Sequence, residues 1–458
     1  MTDPAEALSG RAGGRGVRAL LRSPLHREAL RSMLEPGVDL DRCRLKRVKF
    51  KPGRKLTASY EVGFAGSRRG VRAATVTWTV APAAQAMPEG EGAAQAMEQE
   101  ARDRNLVAPF SHLREEVAGG HVRVQVTPLD PAFAHLVRLA DPNHVETLLA
   151  DVAGRSGDGS LPTVRTIRFN PGQRHVLRYQ VPAPSGRGTR TLFAKLERTT
   201  RGGEEAGAAA TGAPAVAGVL AGHSRLAAAT PLARVADDRV VLYELVRGHP
   251  LTRLLAVDAP LAGSALGEAG KLLAVVHAAD LSAAAALPSR DHRAEVAATR
   301  RACEHIVGML PHLSATITGV LARVGDRLDE PSAEEAGLAH GDFKADHLLV
   351  TPERTTLIDF DSCACAEPAS DLGKFLADLR IRFFLWDKPG LPQVQQRFLD
   401  GYGPADPGRL ARARLWEALL LVKLAARRVR VDDVDWATRT SMLVGEADRL
   451  ARGVTRAP

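Results

Sequence analysis

Asp342 and Asp359 are the two side chains of this 458-residue chain best placed to do chemistry together. The first comes just after His340-Gly341 and precedes the apolar run Leu348-Leu349-Val350, and the second directly succeeds another, Thr356-Leu357-Ile358. Two short apolar runs joined by a tight turn at Pro352 predict a β-hairpin. A hairpin brings the start of its first strand and the end of its second to the same side. There, one carboxylate can orient and deprotonate a hydroxyl while the other holds a metal ion. Lys344 and His347 share the turn that carries Asp342, and Asp361 stands two residues after Asp359. Asp361 reads either as a further carboxylate at the metal or as a solvated turn residue.

At these positions the chain resembles the aminoglycoside phosphotransferase and choline kinase superfamily, the small-molecule relatives of the protein kinases. The resemblance rests on His340-Gly341-Asp342, a polar ligand five positions on, Ile358-Asp359-Phe360, and Asp371-Leu372 beyond. It implies that Asp342 is the catalytic base, that Asp359 is the principal metal ligand, and that Lys344 touches the transferred phosphoryl group. It also implies ATP and Mg2+ as cofactors. His347 departs from the pattern, standing where an Asn is expected as second metal ligand. A neutral imidazole suits hard magnesium less well than an amide oxygen, and suits manganese or zinc better, so Mn2+ is the alternative ion. Asp371 is expected to brace the catalytic loop or to cap a helix beginning at Leu372.

Sliding the chain against itself shows an internal repeat. Val48-Lys-Phe-Lys-Pro-Gly-Arg-Lys-Leu-Thr-Ala-Ser-Tyr-Glu-Val62 returns as Ile167-Arg-Phe-Asn-Pro-Gly-Gln-Arg-His-Val-Leu-Arg-Tyr-Gln-Val181. Each copy predicts strand, Pro-Gly turn, strand, polar loop and third strand. The loops align as well, Ser67, Arg69, Gly70 and Arg72 falling on Ser185, Arg187, Gly188 and Arg190. The third strands differ: Thr191–Glu197 holds Lys195 among apolar residues, whereas Ala74–Val80 has no lysine. In the family resembled, a lysine on this strand meets the nucleotide phosphates and a Glu on the following helix. Lys195 fits that role, with Glu204 and Glu205 as candidate partners and Glu205 the one chosen. A strand lysine reaching solvent is the plainer alternative. The resemblance further implies that the Pro171-Gly172 turn lies over the phosphates and that Glu244, Leu245 and Val246 present the backbone edge that binds adenine.

The expected architecture is α+β. It is a bilobal protein-kinase-like fold with an antiparallel-sheet N-lobe, a mainly helical C-lobe, and an additional N-terminal unit resembling a duplicated small lobe. Its expected divisions are a basic helical leader at 1–40, a degenerate N-lobe-like repeat at 41–153, a nucleotide-binding N-lobe at 161–246, and a helical C-lobe at 247–458. The C-lobe is expected to hold helices at Ala294–Val324, Leu372–Phe384, Leu391–Tyr402, Leu410–Arg428 and Trp436–Arg452. Asp432, Asp433 and Asp435 form an acidic cluster that either reads a cationic acceptor or, through Asp435, caps the last helix.

Composition narrows the function classes. Hydrophobic residues at 45% and charged residues at 25% are globular values. The net charge of +9 is spread along the chain and aromatics are 4%, which argues against a nucleic-acid surface of basic and aromatic residues. No apolar run reaches membrane-spanning length, and four scattered cysteines fit a reducing, cytoplasmic setting. The function expected is transfer of the γ-phosphoryl group of ATP to a hydroxyl of a small molecule, an aminoglycoside, sugar or natural-product-like acceptor. The alternatives are a kinase acting on Ser or Thr of a peptide, and a catalytically weak kinase-like binding protein.

Overall fold

Alternating apolar and polar residues build the first half of the chain into sheets, and helical periodicity builds most of the second half. The computed structural model describes residues 4–65, 70–81, 91–153, 160–182, 188–198, 203–332, 335–404 and 406–454. The chain divides into two units, Met1–Arg201 with Pro231–Leu245, and Gly202–Thr230 with Val246–Pro458. The loop residues Ser67, Arg69, Ser185 and Arg187 lie outside the described residues, as does most of the segment joining the repeats.

The first unit opens with helices α1 (Pro4–Ser9), α2 (Gly13–Arg22) and α3 (Leu25–Ser32), followed by strands β1 (Leu40–Lys51), β2 (Lys55–Phe64) and β3 (Val71–Thr79). Helix α4 (Glu91–Asp103) leads to β4 (Arg114–Val117) and β5 (Val122–Val126), then α5 (Leu136–Leu139) and α6 (Pro142–Ala153). Strands β6 (Thr163–Asn170), β7 (Arg174–Pro182) and β8 (Thr189–Leu196) come next. The chain leaves this unit for α7 (Gly203–Leu220) and β9 (Leu226–Ala228) and returns as β10 (Ala233–Val235) and β11 (Val240–Glu244).

These strands form two five-stranded sheets, ordered β1-β2-β3-β5-β4 and β6-β7-β8-β11-β10, and every pairing within them is antiparallel. Each sheet therefore has one plan, its own first, second, third, fifth and fourth strands side by side. The Pro-Gly turns also match in register, Phe50 opposite Leu56 and Phe169 opposite His175. Gly53 and Gly172 hold φ of 68° and 67° there, a left-handed conformation that glycine adopts without penalty. Lys195 pairs with Val176 in the second sheet, and the corresponding partner of Thr57 in the first is Thr77.

Both sheets bury an apolar face under helices that precede them in sequence. In the second, Leu177, Tyr179, Leu192, Ala194, Val240 and Leu242 pack with Phe133, Leu136, Leu139, Val145, Leu148 and Leu149. The Tyr179 hydroxyl donates to the Leu139 carbonyl at 3.0 Å. In the first, His26 of α3 stacks on Tyr60 at 4.9 Å and stands edge-on to Trp78 at 6.0 Å. The amide of Gly53 donates to the Leu8 carbonyl at 2.7 Å, and Ser111 to that of Met33 at 2.8 Å. Helix α1 is thus tied to the turn between β1 and β2, and α3 and the residue after it to the rest of the first unit.

The second unit is built around the predicted hairpin, β14 (Leu348–Val350) and β15 (Thr355–Leu357), paired Leu348 to Leu357. It is the centre of a small sheet flanked by β12 (His249–Pro250) and, in parallel, by β9. A second ladder, β13 (Gly337–Ala339) with β16 (Ala364–Ala366), brackets the loop before the hairpin and the turn after it. Around them lie α8 (Leu251–Ala256), α9 (Leu261–His277), α10 (His292–Met309), α11 (Ser314–Asp329), α12 (Pro368–Trp386), α13 (Leu391–Tyr402), α14 (Pro407–Arg428) and α15 (Trp436–Gly453). The helices expected through Ala294–Val324 are α10 and α11, separated where Pro311 cannot continue α10 and opens a short 3-10 turn. Among the described residues no helix is long and apolar enough to cross a membrane. All four cysteines are free thiols.

Candidate active site

The hairpin delivers Asp342 and Asp359 to the two sides of one imidazole. His347 Nε2 lies 3.3 Å from the Asp359 carboxylate, and Nδ1 lies 3.9 Å from that of Asp342. Two backbone constraints fix these positions. Gly341 has φ of 73°, and a Cβ placed on it would fall 2.0 Å from the carbonyl oxygen of Ser362, so only glycine lets the loop pass under the turn after Asp359. Asp359 itself is left-handed, with φ of 69°, which turns the chain sharply as it leaves β15. The turn is closed by the amide of Cys363 on the carbonyl of Phe360 at 3.0 Å, and Asp361 sits half-buried within it.

The loop is braced from behind. His340 is buried, donates from Nε2 to the Ile358 carbonyl at 3.2 Å and accepts the Asp342 amide on Nδ1 at 3.3 Å, which ties the Asp342 and Asp359 segments together. Asp371 is fully buried and accepts the amides of His340 at 2.7 Å and Gly341 at 2.8 Å. Burial works to raise its pKa. Hydrogen bonding from His277 and the two amides outweighs that and holds the carboxyl below its ordinary range. His277 sits between Asp371 (3.5 Å) and the Tyr402 hydroxyl (2.9 Å). Since α12 begins at Pro368, Asp371 lies inside the helix and braces the loop; it caps nothing.

The same helix carries site residues that reading the sequence missed. Asp371, Lys374, Asp378 and Arg382 recur at three- and four-residue spacing, one face of α12, and each has a partner in the loop. Lys374 Nζ is 3.0 Å from Asp342 Oδ1. Asp378 accepts the Ala345 amide at 3.1 Å, and Arg382 bridges Asp378 and Asp346. Asp346 also accepts from the Thr252 hydroxyl at 2.6 Å. The signal was present in sequence as a polar stripe inside an otherwise apolar helix.

Asp342 therefore sits in a field of cations. Lys344 bonds its Oδ2 and Lys374 its Oδ1. Burial opposes ionisation, but the two lysines and His347 dominate and keep the carboxyl ionised far below the ordinary range. Burial, and then the Lys344 ammonium, push the His347 imidazole down to about 3, so it is neutral at physiological pH.

The residues present fit one divalent cation. Among the described residues no group of three His, Cys, Asp or Glu side chains is placed to hold a metal ion by itself. Magnesium in phosphoryl-transfer sites needs only one or two carboxylates, the rest of its shell being phosphate and water oxygens. Asp359, a partly exposed carboxylate at the hairpin end, meets that requirement.

Of the other residues expected at the site, several belong to the first unit and others are already engaged. Lys195 is half-buried on β8, and Glu205 lies on α7 with its side chain outside the described residues. The amide of Gly172 donates to the Asp130 carboxylate at 2.7 Å and so is not presented to a phosphate; His175 holds the same oxygen at 2.7 Å. Glu244 ends β11 with its carboxylate on Arg190, and the Leu245 amide is taken by the Thr191 carbonyl at 3.0 Å, while Val246 begins the second unit. The acidic cluster is paired locally: Arg430 with Asp432 and Asp433, and Arg439 with Asp435. Asp435 does precede α15 but makes no side-chain cap, because its φ of −93° and ψ of 12° turn the carboxylate away from the first amides.

The sequence profile of the phosphotransferase enzyme family, APH, matches residues 166–416, more than half of the chain. The chain belongs to that family. No curated protein matches this phosphotransferase in sequence. Among solved structures it is similar to the macrolide 2'-phosphotransferase of Brachybacterium faecium (19% identity, TM-score 0.40), covering 69% of this chain and 100% of the other. It is also similar to a choline/ethanolamine kinase family protein of Mesorhizobium loti (14%, TM-score 0.45), over 67% and 94% of the two chains. A third is a thermostable mutant aminoglycoside phosphotransferase solved with ADP and hygromycin B (16%, TM-score 0.44), over 68% and 99%.

Proposed function

We propose that this phosphotransferase moves the γ-phosphoryl group of ATP to a hydroxyl of a small molecule. The observation that carries the reading is the convergence of Asp342 and Asp359 on His347, with an ammonium on each oxygen of Asp342. In the reaction the acceptor oxygen forms a bond to Pγ as the bond from Pγ to the bridging oxygen of ADP breaks. The acceptor's proton leaves toward Asp342. Such transfer asks mainly for positioning and charge neutralisation, which a rigidly braced carboxylate and paired lysines provide. Asp359 would hold the cation, which neutralises phosphate charge, and Lys344 would meet the transferred group. The strongly held, ionised Asp342 orients the acceptor hydroxyl more than it stores a proton.

Lys195 is proposed as the amine that meets the nucleotide phosphates, with Glu205 as its acidic partner and Glu244 to Val246 as the adenine edge. Because the Gly172 amide is engaged by Asp130, any phosphate contact at the Pro171-Gly172 turn falls to side chains such as Arg174. The acceptor class is read from the family, and a peptide hydroxyl is the second reading. The decisive experiment incubates the protein with ATP, magnesium or manganese, and a panel of aminoglycosides, macrolides, sugars and amino alcohols. A mass increase of one phosphate on any acceptor supports the reading; ATP left intact with every acceptor and both ions contradicts it.

The first unit is proposed to be a tandem duplication that takes in the helices before each sheet. Asp3-Pro4-Ala5 is matched by Asp130-Pro131-Ala132, and Pro24, His26, Glu28 and Leu30 by Pro142, His144, Glu146 and Leu148. The shared strand order and turn register support the same reading. With Thr77 in place of Lys195, the first copy is proposed to bind no nucleotide. One nucleotide per chain, lost in Lys195→Ala, is expected by calorimetry. A site surviving that substitution would contradict the assignment.

A further inference from the structure

Kinase-like sites of this general kind place two divalent cations on the nucleotide, one on the metal-binding Asp and one shared with a catalytic-loop Asn. Here the position of that Asn is His347, and its surroundings are unsuited to a second ion. The imidazole is more than nine-tenths buried, with Nε2 turned to the Asp359 carboxylate and Nδ1 without a hydrogen-bond partner. With Nε2 turned to that carboxylate, the ring's one remaining nitrogen is Nδ1, sealed from solvent beside the lysine-paired Asp342 carboxylate, and an imidazole nitrogen suits a hard cation less well than the amide oxygen it replaces.

Positive charge is supplied in another form. Lys374 projects from α12 one turn after Asp371, the residue that holds the catalytic loop, and its Nζ is 3.0 Å from Asp342 Oδ1. Lys344 occupies Oδ2 from the loop itself. Both side chains are mostly buried, Lys374 at 14% exposure and Lys344 at 18%. Two fixed single charges equal the charge of one divalent ion, and they stand beside the carboxylate where an acceptor would be activated. They would also repel a second cation brought to the same place.

We propose that the site works with a single divalent cation, held by Asp359, and that Lys344 and Lys374 together replace the second. In this arrangement His347 is a positioning residue that fixes Asp359, and Lys374 acts through Asp342. The inference rests on the phosphotransferase reading and specifies how that site is charged.

The test counts ions directly. The full-length protein, saturated with a non-hydrolysable ATP analogue, is titrated with Mn2+ and bound ion is read by electron paramagnetic resonance. One nucleotide-dependent Mn2+ per chain is expected. Two per chain would overturn the inference while leaving phosphoryl transfer standing, and none would overturn both. In parallel, Lys374→Met should lower kcat on the order of 10²-fold with KM for MgATP within about twofold, and Lys374→Arg should recover most of it. A Lys374→Met protein with parental kcat would refute the charge-replacement role. If that variant does not fold, the ion count and the Arg variant still decide.

Discussion

Gly341→Ala puts a side chain into the backbone crossing that holds the Asp342 loop against the turn after Asp359. The residue has φ of 73°, where an alanine costs about 1–2 kcal/mol. The added Cβ would lie 2.0 Å from the Ser362 carbonyl oxygen, while such contacts are essentially never shorter than 3.0 Å, so loop and turn must part by about 1 Å. Neither can yield freely. The loop is held by Asp371 and Asp378, and the turn begins at Asp359, itself left-handed. The displacement therefore falls between the Asp342 and Asp359 carboxylates, and on the proposed reading a misplacement of about 1 Å there costs on the order of 10²-fold in rate. With strain and overpacking together, stability should fall by about 2–4 kcal/mol. The assay is ADP release from ATP without added acceptor, water taking the hydroxyl's place, alongside a thermal melt. A folded Gly341→Ala protein turning over within about threefold of the parent would refute the reasoning that this glycine sets the site's geometry.

Two further outcomes are expected. Asp371→Asn removes the carboxylate that the structure gives to the His340 and Gly341 amides and should cost about 3 kcal/mol in stability together with most of the turnover; a denaturant titration unchanged from the parent would contradict the bracing role. His26, buried against Tyr60, has its pKa lowered from 6.5 to about 4, first by burial and then by the Arg27 charge. Its folded value lies below its unfolded one, so the stability it protects is fully present above pH 6.5 and lost as pH falls from there toward 4. The loss should reach about 3 kcal/mol, and His26→Phe should flatten the pH dependence of melting over that window; parallel curves for the two proteins would refute it.

The hairpin and its carboxylates were legible because every part of them is local. Short apolar strands, a Pro turn and motif residues at fixed offsets leave few other arrangements. The repeat was legible for a different reason, since Pro-Gly turns and Tyr-x-Val strands align without knowledge of contacts. What sequence reading lost was long-range. Asp130 and His175, 45 positions apart, meet only because the helices before the second sheet fold back over it. Lys374 was hidden because its meaning depends on α12 starting at Pro368, a turn earlier than expected, which leaves Asp371 the brace and not the cap of the two roles expected of it. Asp435 failed as a cap for the opposite reason: composition favoured it, and backbone geometry with Arg439 nearby decided otherwise.

The most direct test of the central claim, that Asp342 serves the acceptor and Asp359 the cation, compares Asp342→Ala with Asp359→Asn. Turnover and MgATP affinity are measured on the same preparations. Asp342→Ala should lose on the order of 10²–10⁴-fold in turnover and keep its nucleotide affinity, while Asp359→Asn should lose affinity as well. Parental turnover in Asp342→Ala, or unaltered metal-nucleotide affinity in Asp359→Asn, would contradict the account.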